Sequence, residues 1–270
     1  MRTIKNGLIV GICGLAACAM VAPAENTAPV TPVTASSAEA PDLEFQKLYQ
    51  TWFENIEPFR VIGEGQRGIY FVGTQVWDNI IKLGYDPADV KILLNSHAHL
   101  DHSGGLAELK QLTGATLLAS EGDRSALEGG FYLGSEDDAS MGAPPVKVDK
   151  IIADGDVVTL GPVSLTAHLT PGHTRGCTSW TMDVRQGGET YQTLFFCSAS
   201  VAANRLVGPP QYPGIVADYR KTFAITRDWK PDIFLSNHPE FFGMAEKQEK
   251  LAAGDPLAFV DDSGFPRFIG

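Results

Sequence analysis

The run His97-Ala98-His99-Leu100-Asp101-His102 decides the reading of this chain. It follows Val90-Lys91-Ile92-Leu93-Leu94, an apolar stretch set between Asp86-Pro87 and Asn95-Ser96 with the composition of a buried strand. At the end of a strand, residues two apart face the same side, so His97 and His99 can grip one cation. Asp101 and His102 fall on the following turn, within reach of a second. Gly104-Gly105 lets the backbone turn sharply into the next helix. Imidazole and carboxylate without thiolate suit zinc, with iron and manganese as alternatives. Three of the chain's six histidines lie in this hexapeptide, which sets it apart from an ordinary polar loop.

Two further histidines sit in turns after strands. Thr170-Pro171-Gly172-His173-Thr174 follows an apolar run ending at Leu169, and Ser236-Asn237-His238-Pro239 follows Ile233–Leu235. Strand ends that bring such ligands to one sheet edge build a binuclear site. His168 lies inside a strand and reads as a hydrogen-bonded structural residue.

Apolar spacing predicts helices at Val76–Leu83, Gly105–Leu112, Asp123–Leu127, Tyr219–Asp228 and Glu240–Ala252. It predicts strands at Ile69–Gly73, Val90–Leu94, Thr116–Ala119, Lys150–Ile152, Val157–Leu160, Val163–Leu169, Thr178–Asp183, Tyr191–Cys197 and Ile233–Ser236. Strands and helices alternate in two similar halves. That order implies an α/β (α+β) architecture of packed sheets covered by helices.

The H-x-H-x-D-H run, the Thr-Pro-Gly-His-Thr turn and the late Ser-Asn-His resemble the metallo-β-lactamase superfamily. Flanking blocks resemble the class B β-lactamases of subclass B3: Phe45-Gln46-Lys47, Glu57-Pro58-Phe59-Arg60, Ala107-Glu108-Leu109-Lys110, Trp180-Thr181-Met182 and Pro239-Glu240-Phe241-Phe242-Gly243. The resemblance implies an αββα sandwich holding two zinc ions at one edge. His97, His99 and His173 would hold the first; Asp101, His102 and His238 would hold the second. It implies hydrolysis of the amide bond of a small-molecule β-lactam, with Asp101 as the catalytic carboxylate orienting a water acidified by the metals.

After the strand ending at Phe196-Cys197, many superfamily hydrolases place a bridging Asp and the B1 enzymes a ligand Cys. This chain aligns Ser198 there, as B3 does. Ser198 and Ser200 then resemble the hydroxyls that bind the substrate carboxylate; the plainer reading is of strand-end serines. Cys197 lies one residue earlier, and a slip of register would make it a ligand. A lactonase or thioesterase of the same superfamily is the alternative activity.

One stretch departs from the family. Relatives carry about twenty more residues between Thr74 and Asn79, enough for two short strands and a polar turn that supports the histidine loop. Here Gln75-Val76-Trp77-Asp78 bridges the interval directly. The expectation is an N-terminal sheet missing two strands, with open edges, lower stability and a catalytically impaired metal-binding protein as a further alternative.

The N-terminus reads as an address. Arg2 and Lys5 precede an apolar run, Leu8–Ala17, too short to span a bilayer. Leu15-Ala16-Ala17-Cys18 has the form of a lipobox, which would make Cys18 a lipid anchor. Ala22-Pro23-Ala24 offers a second exit. Residues 1–24 are thus a signal peptide, 25–42 a Pro/Ala/Thr/Ser tether and 43–270 the catalytic domain, with the periplasm as destination. Export leaves Cys177 and Cys197, which either pair or stay as buried thiols.

The 270 residues are 44% hydrophobic and 20% charged, as for a globular domain. The net charge of −11 excludes nucleic acid as a partner.

Overall fold

The computed structural model describes residues 8–12, 57–64 and 68–270. Cys18, Ala22–Ala24, the 25–42 tether and the Phe45–Lys47 block lie outside the described residues.

Strand β4 (Val90–Asn95) is the frame on which the rest is placed. From Ile92 to Leu94 its side chains alternate between two apolar environments, as a strand segment buried on both faces requires. Val90 and Leu93 pack with α1 (Val76–Lys82), α3 (Leu106–Thr113) and α4 (Glu121–Gly129), through Ile80, Leu106, Leu109, Ala126 and Leu127. Ile92 and Leu94 face the other way, toward a second sheet. Parallel neighbours β5 (Thr116–Ser120) and β6 (Lys150–Ile152) continue the first sheet on one side. On the other side lies β1 (Leu8–Ile12), giving the order β1-β4-β5-β6.

The second sheet comprises β7 (Val157–Leu160), β8 (Val163–Leu169), β9 (Thr178–Gln186), β10 (Glu189–Phe196) and β11 (Ile233–Ser236), ordered β11-β10-β9-β8-β7. Its members are antiparallel except β10 and β11. Between the sheets lie Leu94, Leu118 and Ile152 from the first and Val158, Leu165, Ala167 and Trp180 from the second. The outer face of β10–β11 is covered by α6 (Met244–Ala252) and α7 (Gly264–Ile269), with Phe196, Phe234 and Phe265 fully buried. A hairpin of β2 (Phe59–Ile62) and β3 (Ile69–Phe71) joins this cluster through Val61, Ile62 and Ile69. The layers are therefore α, β, β, α.

Two differences from the sequence reading have plain causes. The expected helix over 240–252 is a 3-10 turn, Pro239–Phe242, followed by α6, because Gly243 sits at φ +64 and interrupts the helical path. A four-residue helix, α2 (Leu100–Ser103), carries Asp101 and His102 and is too short for periodicity to reveal. The remaining long helix, α5 (Ile215–Thr226), begins earlier than expected, directly after Gly214.

Between β3 and α1 the chain runs only through Val72–Gln75, so this interval supplies no strand to the first sheet. The strand beside β4 comes instead from Leu8–Ile12, the segment that the sequence reads as the apolar core of a leader. An apolar, β-branched run suits both roles.

Candidate metal centre

All six expected ligands converge where β4, β8 and β11 end. His97 and His99 leave β4; Asp101 and His102 ride on α2; His173 follows β8 and His238 follows β11. Ring centroids of His97, His99 and His173 are 4.8, 4.6 and 4.5 Å apart pairwise. Their ligand nitrogens all fall within 4.8 Å of one another. Beside them, Asp101 Oδ2 is 2.9 Å from His102 Nε2 and 3.6 Å from His238 Nε2, and these two ring nitrogens are 3.3 Å apart. The triads abut, since the His97 and His102 rings are 4.2 Å apart.

Protonation favours a cation here. Burial pushes His97 and His99 well below the ordinary imidazole range, and neighbouring imidazoles add to the effect. Burial likewise lowers His173 to about 4 and His238 to about 3. Burial alone would raise Asp101, but His102, His99 and His238 together outweigh it and hold the carboxyl well below the usual range. Neutral imidazoles beside an ionised carboxylate form a metal-ready donor set. His97 Nε2 is buried and has no hydrogen-bond partner among the described residues, an arrangement that a bound cation would satisfy. The residues thus fit zinc.

The rings are held from behind. His173 Nδ1 donates to the Ser200 carbonyl at 2.8 Å, which leaves Nε2 for a metal. Asn204 donates to the His173 carbonyl at 2.8 Å and accepts from the Tyr132 hydroxyl at 3.0 Å. The Tyr132 ring stacks on His99 with centroids 4.4 Å apart. Asn95 Nδ2 donates to the His97 carbonyl, and Ser103 Oγ to that of His99.

Asp123, on α4, ties the two histidine loops together. Its carboxylate accepts from the Ala98 amide at 3.1 Å, from Thr174 Oγ1 at 2.9 Å and from the Gly176 amide at 2.9 Å. Burial raises it to about 6 against the pull of these bonds. Sequence reasoning missed this residue. The only available signal was a short-side-chain acid in the first turn after Ser120, which reads as helix-end chemistry.

Ser198 and Ser200 lie beside the centre, with hydroxyls 3.2 Å apart. Ser198 is only 1% exposed, whereas Ser200 is partly open and its hydroxyl lies 3.3 Å from His173 Nδ1. Of the two, Ser200 has the surface to meet a ligand. Cys177 and Cys197 are joined in a buried disulfide, Cα atoms 5.8 Å apart, so Cys197 is not a thiolate ligand. Its sulfur lies 3.7 Å from His97 Nδ1. His168 bonds Thr181 Oγ1 through Nε2 at 2.8 Å, in keeping with its structural reading.

Residues 65–185 match the metallo-beta-lactamase superfamily. BJP-1, a subclass B3 metallo-beta-lactamase of Bradyrhizobium japonicum, is 45% identical over 80% of this chain and 90% of its own, with a TM-score of 0.76. This chain belongs to the metallo-β-lactamase superfamily. The FEZ-1 metallo-beta-lactamase from Legionella gormanii is similarly placed, at 34% identity, 80% of this chain, 92% of that chain and a TM-score of 0.75. Among curated proteins, a hydroxyacylglutathione hydrolase of Rhodospirillum rubrum is 32% identical over 84 residues, 31% of this chain. The match spans only 26% of that relative's length. The fold and the donor set make this a metal-binding hydrolase of that superfamily.

Proposed function

We propose that this chain hydrolyses β-lactams with two zinc ions held by His97, His99, His173 and Asp101, His102, His238. The observation that supports the reading most is the convergence of both triads in a fold whose solved relatives at 45% and 34% identity are metallo-β-lactamases. Ser198, in place of an Asp or Cys at the end of β10, agrees with subclass B3.

Zinc bound there supplies Lewis acidity, which polarises a carbonyl and brings the pKa of water to near 7. The chain's own residues do the rest. Asp101, kept ionised among the neighbouring imidazoles, accepts a hydrogen bond from the attacking water and so fixes its direction of attack. His173, locked by its Nδ1 bond to the Ser200 carbonyl, is prevented from turning its ligand nitrogen away. The Ser200 hydroxyl offers a donor to the substrate carboxylate. Export to the periplasm, where β-lactams act, forms part of the same proposal.

The test is turnover by zinc-loaded protein of nitrocefin, a carbapenem and S-lactoylglutathione in parallel. The reading expects loss of carbapenem absorbance at a rate that Asp101→Asn lowers by about 100-fold or more. Preferential cleavage of the thioester would transfer the assignment to the hydroxyacylglutathione hydrolase class. Intact carbapenem in protein retaining both metals would contradict it outright.

A further inference from the structure

Apart from the metal centre, a cavity of about 570 Å³ opens between the Pro239–Phe242 turn, α6 and α7. We propose that it is a second small-molecule site, taking an organic monoanion with an aromatic body whose carboxylate pairs with Lys247. The inference is independent of the proposed substrate, since none of the six metal ligands lines this cavity.

Three observations carry it. The first is a charge without a counterpart. Lys247 lines the cavity and is only 8% exposed. Among the described residues its ammonium has no hydrogen-bond or ion-pair partner; it lies 6.0 Å from the centre of the Phe259 ring. Burial pushes it below the ordinary lysine range, while Asp261 pulls the other way. A buried ammonium in that position is costly, and an anion in the cavity would offset the cost.

The second observation is how the neighbouring charges are paired. Lys250 meets Glu246 at 2.7 Å, and Arg267 meets Asp261 at 2.7 Å. These four side chains cancel on the cavity wall, which leaves Lys247 as the surplus charge. One positive charge, on a chain whose net charge is −11, selects a monoanion over a phosphate dianion.

The third is the apolar wall. Phe234, Phe241, Phe242 and Phe268 line the same cavity. Phe268 lies between Phe234 and Phe241, with ring centroids at 5.2 and 5.4 Å. Aromatic walls with one placed charge suit a small organic ion, and the volume falls within the range of about 300–1,000 Å³ typical of ligand pockets. The cavity also lies one ring away from the second triad, because Phe241 meets the His238 ring edge-on with centroids 5.3 Å apart.

The test uses para-benzoylbenzoate, an aromatic monoanion that cross-links on irradiation, with the full chain equilibrated with zinc. Labelling should map by mass spectrometry to residues 241–247 or 258–268. It should be displaced by phenylacetate and persist against phenylacetamide and inorganic phosphate. By calorimetry, Lys247→Met should weaken phenylacetate binding about tenfold or more, whereas Lys247→Arg and the exposed control Glu249→Gln should keep it. Should K247M fail to fold, the labelling map and the comparison of acid with amide in the parent protein decide. Labelling confined to the loops around the metal centre would overturn the proposal, because the carboxylate would then be bound by the metals. So would equal binding of acid and amide, displacement by phosphate, or unchanged affinity in K247M.

Discussion

The Asp123 carboxylate accepts the amide of Ala98, the residue between the first two metal-binding histidines, at 3.1 Å. Through Thr174 and Gly176 the same carboxylate grips the loop that carries His173. One buried acid on α4 thus fixes the spacing between ligands 76 positions apart in the chain, from His97 to His173. A convergent site needs such a clamp, because each histidine loop is anchored to a different sheet.

Asp123→Asn should therefore weaken zinc binding without touching a ligand. Three donors face the carboxylate, and an asparagine amide would turn its own donor toward one of them. The expected loss is about 10–100-fold in zinc affinity, measured by competition with a chromophoric chelator. Unchanged affinity would show that the loops hold their spacing without it.

Gly176 permits the close approach on which that clamp depends. A Cβ there would run into the backbone nitrogen of Asp123 and the Ser120 hydroxyl, neither of which has room to move. Gly176→Ala should cost about 1–3 kcal/mol in urea unfolding, the range for overpacking a filled interior. Gly155→Ala is not its match as a control, since Gly155 has φ +83; Ala107→Ser on partly buried α3 should change little by comparison.

The Cys177–Cys197 bridge closes a loop of 20 positions that encloses the whole of β9 and β10. Loop-closure entropy gives about 3 kcal/mol for a loop of this size. Cys177→Ser/Cys197→Ser should lower stability by about that amount in denaturant melts, and reductant should lower the parent protein similarly without affecting the variant.

Acid should destabilise the metal-free chain. His173 and His238 refuse protons in the folded state until about pH 4 and 3, whereas unfolded imidazoles take them near 6.5. His97 and His99 are lowered as well. The unfolded state therefore binds more protons below 6.5, and stability present above that pH is lost as pH falls. Asp123 acts oppositely, since its folded value of about 6 exceeds the ordinary 3.8 and costs stability as pH rises through that interval. Four lowered imidazoles outweigh one raised carboxyl. Urea melts with chelator at pH 7.5 and 5 should show lower stability at pH 5, at about 1.4 kcal/mol per pH unit for each net proton taken up.

The ligands were legible in the sequence because their chemistry is rare and their positions are constrained. His97 and His99 are forced to one side by the pleat of β4, and His173 and His238 each follow a recognisable strand. The alternation of elements carried the layered architecture for the same reason. What stayed hidden depends on distance in the chain. Asp123 gains its role from amides 25 and 53 residues away, which no local pattern encodes. The pairing of Cys177 with Cys197 was one of two open readings until the β8–β9 turn and the end of β10 were seen to meet. The pairing of Leu8–Ile12 with β4 was not legible, because an apolar run suits a strand as well as the core of a leader. Ser198 and Ser200 looked equivalent, and only their burial separates them.

Zinc stoichiometry tests the central claim most directly. Metal analysis of the equilibrated, desalted full chain should find two zinc ions per molecule, falling to about one in His238→Ala and in His173→Ala, with competition titrations placing the two losses on different sites. A parent protein that retains no zinc, or alanine variants that retain as much as the parent, would contradict the account.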